Sequence, residues 1–223
     1  MEFFDKLIKS FIPANPAEVL IMIGVILFTF AIHGYSHCKA ALSLGDPTAK
    51  RAGRLTLNPI SHIDPMGTIF MFLFHFGWAK PVPVNPDYFP DKKKSIIMVT
   101  LSGLISNFAA AFTAGLFIRY MFLDNDIYRM ILIYLVLFNT GFGLFNLIPI
   151  PPFAVSHIIE FFLSESAAIK FMKTRRYMPI ALFAVILLDR FTGLNIFGRL
   201  ISLPIIKISG LFGGPNLLRE LGM

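Results

Sequence analysis

The chain has 223 residues, of which 56% are hydrophobic and only 15% are charged, and phenylalanine alone occurs 25 times. A soluble domain carries about 25% charged residues, so the composition excludes an ordinary soluble domain and predicts a membrane protein. The formal net charge is +7, but the basic residues lie mostly in short loops between apolar segments, which argues against nucleic-acid binding.

Residues 1–16 are predicted to form a short N-terminal amphipathic segment. This segment carries Glu2 and Asp5 and lacks a cleavage site of small residues, so we do not interpret it as a removable signal peptide. The first membrane span is predicted over residues 17–44, which is long enough to cross a hydrocarbon core of about 30 Å.

The start of this first span carries the usual signals of a helix N-terminus. Asn15 is a suitable N-cap, Pro16 suits the first helical position, and Glu18 lies near the positive end of the helix dipole. We therefore expect the helix to begin at Pro16.

Residues 45–94 are predicted to be a small β and loop insertion with a re-entrant segment. Turn-forming residues dominate its first half, and "TIFMFLFHFGW" is too short to span, so it is either re-entrant or a buried strand. Pro81, Pro83 and Pro86 lack a backbone N–H, which places "AKPVPVNP" at a sheet edge or in an extended loop.

The remaining chain completes a single membrane domain. Basic residues cluster in loops 45–94 and 164–177, and the positive-inside rule places both loops in the cytoplasm. The predicted elements are a second span at 95–121, a third span at 129–149, a proline-rich turn and short helix at 150–163, and a broken span or spans at 177–212.

Two histidines on the first span are the strongest candidates for chemistry, because ionisable groups inside a membrane are costly. His33 and His37 are spaced i, i+4 in "AIHGYSHCKAAL", so both imidazoles lie on one helix face, as in the zinc motif H-E-x-x-H. The alternative is a helix contact in which each imidazole bonds a neighbouring helix. Two histidines alone do not decide between these interpretations.

Longer motifs follow in order after this helix. They are "LGDPTAKRAGRLTLNPISHIDPMGT", "FGWAKPVPVNP", "LSGLISNF" and "FNLIPIPP". With the histidine pair they resemble the site-2 protease family of intramembrane zinc metallopeptidases, in particular its compact prokaryotic branch. The resemblance runs from Ile21 to His157 and implies a site-2-protease-like helical core, that is, an all-α polytopic membrane protein.

The resemblance also implies where the family's functional residues fall. His33 and His37 match its two zinc ligands, and Asn107 and Asn146 match asparagines near its substrate path. Gly34 stands where the family has the glutamate that acts as general base.

Three further positions depart from the family pattern. Ala154 stands where the family has the aspartate that is the third zinc ligand, Val155 replaces the glycine after it, and Leu104 replaces a proline of the middle span. These departures occur together, which indicates a lineage that stopped cleaving rather than a single laboratory substitution. His157 is a substitute third ligand if the stretch after Ala154 is helical.

These positions predict a catalytically impaired member of the family that binds Zn²⁺ weakly or not at all. A catalytic zinc usually has three protein ligands, and a general base contributes roughly a hundred- to ten-thousandfold in rate. Such a protein would sit in the inner membrane of a prokaryote and bind transmembrane or membrane-proximal peptide segments. The alternatives are an active zinc endopeptidase with non-standard ligands, and a non-enzymatic transporter or assembly protein.

Overall fold

The computed structural model describes residues 15–68, 77–120, 125–151, 153–160, 162–175, 177–193 and 196–222. Its eight α-helices in these ranges are α1 Pro16–Ser43, α2 Thr48–Arg51, α3 Lys92–Tyr120, α4 Asp126–Asn146, α5 Ser156–Ile159, α6 Glu165–Arg175, α7 Met178–Thr192 and α8 Ile196–Glu220. Short 3-10 helices occupy Pro59–His62 and Pro86–Tyr88.

The chain is an all-α, multi-pass membrane protein, as predicted. Four helical segments are long and apolar enough to cross a membrane, namely Pro16–Ser43, Lys92–Tyr120, Asp126–Asn146 and Leu200–Glu220. The broken C-terminal region consists of α7 and α8, and only the second of these contains a segment of that length.

The first helix begins as its sequence predicts. Asn15 is the N-cap and its side chain accepts a hydrogen bond of 3.0 Å from the backbone N–H of Glu18, while Pro16 occupies the first helical position. α4 begins in the same way, because Asn125 accepts from the N–H groups of Ile127 and Tyr128.

The long helices pack around α3, which contacts α1, α4 and α8. One apolar cluster joins α3, α4 and α8 through Ala114, Val136 and Leu217. A second cluster, containing Ala41 and Val99, joins the end of α1 to α3. α3 is therefore the central helix against which the first span is fixed.

The insertion between the first two spans is mostly loop. Within its described part, 45–68 and 77–91, the only pairing of β type is an isolated antiparallel bridge between Ile63 and Ala79. Pro81 and Pro83 remove the N–H donors that a continuing ladder would need. Most of the predicted re-entrant segment, residues 69–76, lies outside the described residues.

Candidate functional site

The two histidines of α1 lie side by side. His33 and His37 are one turn apart on one helix face, and they are only 5% and 8% exposed. Their Nε2 atoms are 2.9 Å apart. The i, i+4 spacing therefore brings the two imidazoles together, as the sequence predicts.

The other ring nitrogen of each histidine contacts an oxygen on α3. His33 Nδ1 lies 2.6 Å from Asn107 Oδ1, and His37 Nδ1 lies 2.6 Å from the carbonyl oxygen of Val99. A carbonyl oxygen only accepts, so His37 carries a proton on Nδ1 and, when neutral, a lone pair on Nε2. Histidines that bind metals are commonly held in this way, with the second nitrogen donating to an oxygen.

A glycine of α3 lets the imidazole pair lie against that helix. A Cβ atom at Gly103 would lie 2.6 Å from His37 Nε2 and 2.8 Å from His33 Cε1. Both distances are shorter than real Cβ contacts, so any larger residue would displace the rings. Gly103, identified by sequence only as part of a family motif, is thus in direct contact with the histidine pair.

Gly34 makes room for a third histidine, His62, which no motif in the sequence marks as part of the site. The imidazole of His62 is fully buried and packs directly on Gly34. A Cβ atom at position 34 would overlap Nδ1 of His62 and lie 2.7 Å from its Cε1. The space next to the histidine pair, where a glutamate side chain would begin, is filled by an imidazole from the 3-10 helix Pro59–His62.

The orientation of His62 is set by its neighbours. Its Nε2 donates to the carbonyl oxygen of Thr56 at 2.8 Å, and the guanidinium of Arg54 lies 3.5 Å from its Nδ1. Burial lowers the pKa of His62 below its ordinary value, and Arg54 lowers it further, although the bond to Thr56 opposes this shift. The ring is therefore neutral at pH 7, and the lone pair on its Nδ1 faces the guanidinium of Arg54.

The position expected for a third zinc ligand holds Ala154, which is tied to α4 through Asn146. The N–H of Ala154 donates to Asn146 Oδ1 at 3.1 Å, and Asn146 Nδ2 donates to the carbonyl oxygen of Phe142 at 2.9 Å. No group of three His, Cys, Asp or Glu side chains able to hold a metal occurs among the described residues. The histidine pair fits a divalent metal, but the rest of the expected ligand set does not.

A cavity of about 310 Å³ lies beside the histidine pair. His33, Gly34 and His37 form one side of its lining, and His157 and Glu160 also line it. His157, the predicted substitute ligand, thus shares the cavity with the pair. Glu160 was not singled out from the sequence, although its i, i+3 spacing from His157 would have placed both on one helical face.

Two buried charged side chains hold the cavity wall formed by residues 80–85. Arg54 donates to the carbonyl oxygens of Lys80 and Pro81 at 3.0 and 3.1 Å. Asp46 is fully buried, and its carboxylate accepts the N–H of Asn85 at 2.8 Å. The wall is thus fixed at both ends by residues that lie far away in sequence.

The predicted path residues Asn107 and Asn146 lie in different surroundings. Asn107 is fully buried beside His33, whereas Asn146 lines the cavity. Their predicted place along a substrate path stays a prediction.

Apolar membrane helices surround a buried histidine pair, and the Nδ1 atom of each histidine is held by an oxygen of α3. These features define a multi-pass membrane protein with a polar centre between its helices. Over 170 residues the chain is 35% identical to a Bacillus subtilis (strain 168) protein named "Putative zinc metalloprotease YwhC", covering 70% of this chain and 75% of that protein. The chain belongs to the same family as that protein, which is a site-2 protease-like family. The name of the Bacillus subtilis relative indicates that it uses zinc. No family model matches the sequence. No solved structure matches it either.

Proposed function

We propose that this protein binds an extended peptide segment beside its first membrane span without hydrolysing it. The observation that carries this proposal is the packing of His62 on Gly34, because the space for a general base is filled rather than empty. Ala154 adds a second loss at the same centre. The bound segment is a transmembrane or membrane-proximal part of another protein in the inner membrane of a prokaryote.

The chemistry of the centre supports the absence of hydrolysis. Zinc, when bound in this family, polarises the scissile carbonyl and activates water. In this chain His33 and His37 would hold the metal, but glycine at position 34 has no group that accepts a proton. A positioned general base is worth roughly a hundred- to ten-thousandfold in rate, so the loss is large.

The cavity wall supports peptide binding. Val82 and Val84 line the cavity, and neither has a partner for its backbone N–H within the described part of the chain. An extended peptide can pair with the backbone N–H groups of such a segment by strand addition, in which main-chain hydrogen bonds give affinity. The apolar side chains of Ile96 and Phe142 in the same cavity suit an apolar segment.

One observation favours the alternative of an active peptidase with non-standard groups. His157 and Glu160 line the same cavity as the histidine pair and supply an imidazole and a carboxylate. Under this alternative, the protein as written cleaves a model transmembrane substrate, and a zinc chelator or Glu160→Gln abolishes the cleavage. That result would overturn the proposed loss of hydrolysis.

A restoration experiment tests the positional match to the family. The variant Gly34→Glu/Ala154→Asp/Val155→Gly returns the missing groups, but the glutamate has to displace His62. We therefore expect tighter Zn²⁺ binding and cleavage only when His62→Ala is added to these three changes. A folded fourfold variant that binds Zn²⁺ no better than the unchanged protein would show that the match is wrong.

Peptide binding is tested separately by photo-crosslinking in lipid bilayers. A photoreactive amino acid at position 82 is expected to crosslink to an apolar extended peptide of a model substrate. The matched control places it at position 117, where Phe117 is exposed on a membrane helix away from the cavity lining. Equal crosslinking at both positions would contradict binding in the cavity.

A further inference from the structure

We propose that Asn139 on α4 is a positioning residue that fixes, through Asn107, the protonation pattern of the His33 imidazole. Among the described residues, Asn139 forms no hydrogen bond to either histidine. It therefore acts on His33 through Asn107. This role of Asn139 goes beyond the proposed function, because it determines which nitrogen of His33 carries the proton. It does not depend on whether a peptide is bound.

The amide of Asn107 has only one orientation that satisfies its contacts. Its Nδ2 donates to the carbonyl oxygen of Thr29 at 3.1 Å and to Asn139 Oδ1 at 2.9 Å. If this amide were turned over, its oxygen would face two acceptors with no proton between them. Asn107 therefore presents its oxygen to His33, and His33 Nδ1 has to carry the proton in their 2.6 Å contact.

The orientation of Asn139 is fixed in turn by a backbone carbonyl. Asn139 Nδ2 donates to the carbonyl oxygen of Leu135 at 2.9 Å, which leaves its Oδ1 to accept from Asn107. Hydrogen bonds thus run in one direction from His33 through Asn107 and Asn139 to Leu135. Because Asn107 and Asn139 are both fully buried, no bulk water is available to replace a lost partner.

The consequence for His33 is a lone pair on Nε2. His37 has the same pattern, because its Nδ1 donates to the carbonyl oxygen of Val99. Two unprotonated Nε2 atoms then face each other at 2.9 Å, an arrangement that favours a cation shared between them. The direction of the asparagine bonds therefore prepares the pair to bind a metal.

The protonation pattern can be measured without any metal. In the full chain in lipid bilayers, ¹⁵N NMR of labelled histidine distinguishes Nδ1–H from Nε2–H, and the signal lost in His33→Gln identifies His33. We expect Nδ1–H on His33 in the unchanged protein, and a His33 ring that carries its proton on Nε2 and none on Nδ1 overturns the proposal outright. This NMR measurement on the unchanged protein needs no variant of Asn139.

Variants of Asn139 test whether it determines the protonation of His33. Asn139→Leu removes one of the two acceptors for Asn107 Nδ2 and leaves only the carbonyl oxygen of Thr29 to orient that amide. A part of the His33 rings should then carry the proton on Nε2, and the Zn²⁺ affinity should fall about 10- to 100-fold. Asn139→Asp keeps an acceptor oxygen toward Asn107 and should retain the Nδ1–H form. The control is Asn216→Leu, since Asn216 bonds the carbonyl oxygen of Ile118 elsewhere on α3.

These variants separate positioning from mere structural support. A folded Asn139→Leu protein that keeps Nδ1–H on His33 contradicts the proposal, as does loss of that pattern in Asn139→Asp. If Asn139→Leu fails to fold, the unchanged protein and Asn139→Asp still decide the outcome.

Discussion

The imidazole of His62 occupies the space into which any side chain at position 34 would have to extend. A Cβ atom there would overlap His62 Nδ1, and His62 itself is held by Thr56 and Arg54. Gly34 therefore leaves no empty space beside the histidine pair. The His62 imidazole fits against Gly34 only because glycine has no side chain, so a larger residue at position 34 would displace His62.

This packing predicts that Gly34→Ala destabilises the protein. The added methyl group forces His62 out of place, and overpacking of this kind costs about 1–3 kcal/mol in the free energy of unfolding. Thermal or denaturant unfolding in detergent measures the change. The control is Gly24→Ala on the same helix, where an added Cβ meets nothing within 4 Å, and which should leave stability unchanged or higher.

A double-mutant cycle tests whether His62 is the cause. His62→Ala removes the ring that the methyl group meets, so Gly34→Ala should cost much less in that background than in the unchanged protein. Equal costs in both backgrounds would mean that the two residues are not coupled.

A second glycine is predicted to control the histidine pair directly. Gly103→Ala would place a methyl group 2.6 Å from His37 Nε2 and push both rings away from α3. We expect Zn²⁺ affinity to fall at least about tenfold, as it does when the support of a metal-binding histidine is disturbed. Titration with Zn²⁺ against a competing chelator measures this. Gly24→Ala should bind as the unchanged protein does, and a Gly103→Ala protein that does the same would contradict the assigned contact.

The sequence predicts the parts of this site that depend on local geometry. Helical periodicity places His33 and His37 on one face, and the cap at Asn15 fixes the start of their helix. The resemblance to the family predicts that Gly34 and Ala154 stand at the positions of a general base and a third zinc ligand, and this match stays a prediction. These features are encoded within a few residues or within a collinear motif.

Contacts between distant segments are what the sequence could not predict. Nothing in "SHIDP" indicates that His62 packs on a glycine 28 residues earlier (62 − 34). The contact of Asn139 with Asn107 depends on the relative rotation of α3 and α4, which packing decides. The β character expected for the insertion was also largely absent in its described part, because Pro81 and Pro83 limit pairing to a single bridge.

A third prediction concerns the buried carboxylate that holds the cavity wall. Asp46 accepts from the backbone N–H groups of Thr48 and Asn85, both at 2.8 Å. Asp46→Asn turns one acceptor into a donor that faces an N–H, which should cost about 1–3 kcal/mol in unfolding free energy. The control is Asp87→Asn, since Asp87 is 79% exposed in its ion pair with Lys92 and should contribute little. Similar losses for both variants would contradict the special role of Asp46.

The last prediction is a dependence of stability on pH that His62 causes. Burial, together with Arg54, lowers the pKa of His62 in the folded protein below its ordinary value of 6.5. The unfolded chain therefore binds a proton at a higher pH than the folded protein does. As the pH falls below about 6.5, protonation favours the unfolded chain, and the free energy of unfolding should decrease. Above that pH both states are neutral at this residue, so His62 adds no pH dependence.

The variant His62→Gln isolates this contribution. Glutamine does not titrate, and its amide can still donate toward the carbonyl oxygen of Thr56. Unfolding free energies measured between about pH 8 and about pH 5 should decrease less steeply on the acid side for the variant than for the unchanged protein. Parallel curves would show that burial and Arg54 do not lower the pKa of His62 in the folded protein. Any acid sensitivity would then come from other residues.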